Sequence, residues 1–70
     1  MVYVGYIVDS IWSEAHIVGV FQSMGEAEDA VLDDIYEADQ GFVTECDMNG
    51  VVGDTYELIN GEFQLAEVGY

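Results

Sequence analysis

The residues able to do chemistry in this chain are nearly all of one kind. Fifteen Asp and Glu stand against no Lys and no Arg, beside one histidine, His16, and one cysteine, Cys46. Nucleophilic catalysis needs a base set beside its nucleophile, and no Ser or Cys accompanies His16 in such a pattern. Carboxylate pairs recur throughout, so glycosidase-type spacing distinguishes nothing. Enzymes also meet developing negative charge with a cation or a metal, and no Lys or Arg is encoded. The stretch DMNGVVGD, with Asp47, Asn49 and Asp54, opens like a calcium loop but lacks the twelve-residue pattern and its closing Glu. Cys46 alternates with apolar neighbours and reads as a packing group. These residues predict no enzyme, no resident metal and no cofactor.

What remains is an electrostatic device. Ser23 to Gly41, SMGEAEDAVLDDIYEADQG, holds seven carboxylates. Helical periodicity puts Met24, Ala27, Val31, Ile35 and Ala38 on an apolar stripe and Glu26, Asp29, Asp33 and Glu37 almost opposite. At 1.5 Å per residue these four carboxylates form a row about 16 Å long, with Glu28, Asp34 and Asp39 as flanks. Each like-charge i,i+4 pair costs roughly 0.2–0.5 kcal/mol, and one Lys in place of Asp33 would relieve it. Any amphipathic helix has a solvated face, but solvation gives no reason to omit every Lys. Leu32 and Tyr36 fall beside the ridge, and Trp12 lies in the first loop; aromatic anchors near a charged rim suit a protein interface, though all three also suit ordinary packing.

The elements that must carry this ridge are legible. VYVGYIV (2–8) and HIVGVF (16–21) read as strands, with Gly5 and Gly19 marking a bulge or a close backbone approach. Ser23 and Glu26 form a capping box, and Gly41 is a candidate helix stop. FVTECDM (42–48) has strand period, with Phe42, Thr44, Cys46 and Met48 on one side and Val43, Glu45 and Asp47 toward water. Asn60-Gly61 predicts a type I′ hairpin pairing Tyr56 with Leu65 and Leu58 with Phe63 on one face. A longer loop near Asp47–Gly53 would set Phe42 opposite Leu58 and Thr44 opposite Tyr56. The expected fold is α+β: β-β-α-β-β-β, an antiparallel sheet of about four to five strands with one helix on one face, residues 1–70 forming a single domain.

The apolar fraction, 51%, is enough for a core, so the charge does not signal a disordered tail. Roughly eight basic residues are expected at this length. Direct binding to nucleic acid or to an anionic membrane is opposed by like charge. A single cysteine suits a reducing cytoplasm, and neither a signal peptide nor an apolar span is visible.

The opening half, with Trp12, Ser13, His16, Ile17, Val18, Val20, Phe21, Ala27 and Glu28, resembles small phage and prophage proteins that share a Y/W-S turn, an H-I-V-x-V-F strand and an A-E helix. The resemblance implies the strand–turn–strand–helix opening and a viral origin, hence the cytoplasm of an infected bacterium. It implies no activity.

Charge and rod-like geometry together predict a polyanionic inhibitor that imitates nucleic acid. Its partner would be a basic nucleic-acid-binding host protein or complex: a CRISPR surveillance complex first, or a restriction enzyme or uracil-DNA glycosylase. Contact would come from Glu26, Asp29, Asp33, Glu37, Asp34, Tyr36, Glu28 and Trp12, with Glu45, Asp47, Glu57 and Glu62 extending the field, from a monomer or homodimer. One alternative is an allosteric inhibitor or adaptor using apolar surface or a sheet edge, charge serving solubility. Another is an acidic domain adapted to high salt.

Overall fold

A computed structural model describes residues 1–36 and 39–66. The chain runs β1 (Val2–Val8), β2 (Ala15–Phe21), α1 (Met24–Asp34), β3 (Gln40–Cys46), β4 (Val52–Ile59) and β5 (Glu62–Leu65). The strands form one antiparallel sheet in the order β2-β1-β3-β4-β5. The helix packs over β1, β2 and β3. This is the expected α+β fold in the expected order.

Two local signals act, the capping box through one of its two bonds. Ser23 is extended (φ −135°, ψ 152°), and its Oγ accepts the Glu26 N–H at 3.2 Å, capping α1. Asn60 and Gly61 both take left-handed φ, 52° and 83°, as a type I′ turn requires, and the Tyr56–Leu65 and Leu58–Phe63 pairs form.

Glycines decide how closely the layers approach. A Cβ on Gly5 would meet Val31 Cγ2 at 3.0 Å, and one on Gly41 would meet Val31 Cγ1 at 2.7 Å. Val31 therefore sits directly on two strands, fully buried with Ala27 and Val43, and Ile7 completes the core. Beside Gly5 and Gly19, β2 carries one extra residue, Val18, which turns toward the core.

The helix ends earlier than its periodicity suggests. Ile35 is extended (φ −76°, ψ 135°) and its N–H closes on the Val31 carbonyl. Asp33 and Asp34 occupy the last turn with no basic residue there, where the helix dipole disfavours negative charge. From its extended position Ile35 packs against the core and reaches Gly41. Gly41 is thus a residue of β3 beneath the helix, and does not terminate it. Glu37 and Ala38 lie outside the described residues.

The face of β3 is also reversed from expectation. Val43, assigned to water, is fully buried, and Met48, grouped inward, is exposed beyond the strand end. β3 is apolar on both sides at Phe42-Val43, so alternation alone cannot choose its inner face. Pairing with β1 chooses it: Val43 falls beside Gly5, filling the space under Val31, while Phe42 stacks on Tyr6 at 5.1 Å on the opposite face. Consequently Phe42 pairs with Glu57 and Val43 with Tyr56, not Phe42 with Leu58 or Thr44 with Tyr56. An extra residue in β4, opposite the Thr44–Cys46 step, absorbs the register change. Thr44 meets Thr55 through hydroxyls 3.0 Å apart.

Candidate functional site

Glu26, Asp29 and Asp33 project from the outer side of α1, all exposed, with Leu32 exposed beside them. The spacings of three and four residues keep the carboxylates on one side of the rod. Because α1 stops at Asp34, the helical part of the ridge is about 10 Å long at 1.5 Å per residue, not 16 Å. No Lys or Arg exists in the chain to neutralise it. Glu28 is half-buried, on the flank of the helix, and Asp34 leaves from the other flank.

Asp34 and Tyr36 belong instead to a cleft of about 350 Å³ at the C-terminal end of α1, whose walls include Asp9, His16, Asp34, Tyr36 and Asp39. Tyr36 is 80% exposed. Two hydrogen bonds tie it to Asp39: the Asp39 N–H donates to the Tyr36 carbonyl at 2.9 Å, and the Tyr36 N–H donates to Asp39 Oδ2 at 3.4 Å.

Asp9 is held from the other side. Its Oδ1 accepts the N–H groups of Ile11 at 2.7 Å and Trp12 at 3.1 Å, shaping the loop that carries the exposed Trp12. These bonds, the Trp12 amide foremost and Ile11 next, hold the Asp9 carboxyl below its usual range, with a smaller contribution from His16. Trp12 is therefore joined to the cleft through Asp9 and does not stand on the ridge. Three carboxylates and a phenol ring around an open notch suit a Lys or Arg side chain. Helical periodicity could not have joined Asp9 and His16 to Asp34, because sheet pairing brings them together.

The remaining acidic residues do not form one continuous field. Glu45 lies on the helix side of β3 and accepts from the Tyr56 hydroxyl at 3.4 Å. The charge of Glu45, with burial and Asp54 adding to it, pushes the Tyr56 phenol up. Glu57 and Glu62 are on the other face, in register with Phe42 and Ile59. Asp47 Oδ1 accepts from Asn49 at 2.8 Å and Val51 at 2.9 Å, so the carboxylate suggestive of a calcium loop clasps a turn. Among the described residues, no group of three or more His, Cys, Asp or Glu is gathered to hold a metal, and no helix is long and apolar enough to cross a membrane.

Searches against protein-family models, curated proteins and solved structures gave no match.

Proposed function

We propose that this protein is a polyanionic inhibitor, of phage type, that occupies the Lys/Arg-lined groove of a nucleic-acid-binding host defence protein. One observation carries the reading: a folded chain of net charge −15 exposes Glu26, Asp29 and Asp33 along one rigid helix without a Lys or Arg anywhere to balance them. A groove that binds phosphates gains affinity from charge and counterion release, and a compact polyanion competes for the same groups with an on-rate raised by long-range attraction. The ridge supplies the repeated charge. The cleft formed by Asp9, Asp34, Asp39 and Tyr36 supplies a seat for one basic side chain, which gives the contact a direction that charge alone lacks. Inhibition is by occupancy, without catalysis, and a CRISPR surveillance complex is the foremost candidate target.

The test is capture from a bacterial lysate at low salt, followed by stepwise salt elution and competition with duplex DNA. Nucleic-acid-binding proteins should be retained, be displaced by DNA, and elute as salt rises. Asp29→Lys with Asp33→Lys should weaken binding on the order of 100-fold, about tenfold per reversed charge. The fold should be unharmed, since both side chains are exposed on α1 and a positive charge at position 33 suits the C-terminal end of the helix dipole. Capture insensitive to salt and to this double reversal would refute the mechanism.

A further inference from the structure

The sheet face turned away from α1 is covered by nothing in the described chain. It presents Val4 and Tyr6 from β1, Ile17 and Val20 from β2, Phe42 from β3 and Val52 from β4. Ile17 is 72%, Val20 63% and Val52 62% exposed. Along β2, β1 and β3 this face carries no acidic residue; Glu57 and Glu62, on β4 and β5, are the acidic side chains described on it. In a chain of fifteen carboxylates, an apolar field of this kind marks an interaction surface.

We infer that this face binds a second copy of the chain, the two sheets packing face to face about a two-fold axis to give an α/β/β/α sandwich. Charge, area and core size favour this occupant. A basic groove finds no counter-charge over β2, β1 and β3, whereas two such faces meet with Glu57 and Glu62, on β4 and β5, as their described carboxylates. Each protomer is 21 Å thick, so the two acidic ridges end roughly twice that distance apart, on opposite outer surfaces and far beyond the ~8 Å Debye length. Five strands at ~4.8 Å, about seven residues long at ~3.3 Å, offer about 550 Å² per copy. Two copies therefore bury ~1,100 Å² in projection, above the ~1,000 Å² that a specific interface needs. The protomer core of the described residues holds Ile7, Ala27, Val31 and Val43 alone as buried apolar residues, and a second sheet would give the open side a core of its own.

Sedimentation equilibrium at about 0.3 M salt, where repulsion is screened, tests the arrangement with the full chain. Wild type should run at twice the 7.7 kDa protomer mass. Ile17→Glu and Val52→Glu, made separately at exposed positions on opposite sides of the face, should each raise the dimer dissociation constant at least about tenfold while far-UV circular dichroism stays unchanged. A monomeric wild type overturns the proposal. So does a dimer that Ile17→Glu weakens and Val52→Glu does not, which would mean pairing through the β2 edge. If wild type is monomeric and both substitutions abolish capture of the target, the face belongs to the target and self-association is refuted.

Discussion

Replacing Gly41 by alanine tests the packing on which the site depends. The added methyl would lie 2.7 Å from Val31 Cγ1, 3.0 Å from Ile35 Cδ1 and 3.5 Å from Leu58 Cβ. Carbon atoms prefer ~3.5–4.0 Å, so Val31 would have to move by about 1 Å. Val31 is fully buried and already close over Gly5 on its other methyl, so it has no free direction to take. Overpacking of this kind costs ~1–3 kcal/mol, and the two tight contacts place Gly41→Ala in the upper half of that range. At ~4–8 °C per kcal/mol for a domain of this size, the melting temperature should fall by about 8–24 °C. Gly25→Ala provides the opposite control. A Cβ there meets nothing within 4 Å, and in a helix the change should stabilise by ~0.4–1 kcal/mol. Gly41→Asn separates packing from a helix-stop role: Asn substitutes for Gly at a left-handed helix terminus, but under Val31 it should be worse than Ala. Thermal unfolding followed by circular dichroism reads all three. A Gly41→Ala protein melting within about 2 °C of wild type, or Asn better tolerated than Ala, would refute the placement of α1 on β3.

Other outcomes follow from particular contacts. Thr44→Val leaves the Thr55 hydroxyl without its 3.0 Å partner and should cost about 1 kcal/mol; adding Thr55→Val should cost less than the sum of the two single changes in a urea double-mutant cycle. The folded-state pKa of Asp9 is lowered by the Trp12 and Ile11 amides. Its stabilising contribution is therefore present above the unfolded value near 3.8 and lost as pH falls through the folded value. The melting-temperature gap between wild type and Asp9→Asn should be widest at neutral pH and close on acidification; a gap that widens in acid contradicts the loop geometry. Tyr56 is raised by Glu45, so its contribution holds below its unfolded value near 10 and is lost as pH rises through the folded one. Tyr56→Phe should flatten the alkaline limb of the stability profile, which unfolding across that range would show.

The features that sequence alone determined are those whose cause lies within a few residues. Ser23 reaches Glu26 and starts the helix, Asn60-Gly61 adopts the left-handed turn and sets the last hairpin, and the sign of every outward charge is written in the composition. Tertiary structure decided the rest, because the local signals there were balanced. Phe42 and Val43 are both apolar, and only the space left by Gly5 beneath Val31 selects Val43 for the core. The helix has propensity to continue past Asp34, but Ile35 gains burial over Gly41 by leaving it, and the dipole penalises more acid at that end. Sheet pairing then brings Asp9 and His16 to the end of the helix and turns an apolar face outward. Both follow from where distant strands meet, which no stretch of a few residues can specify.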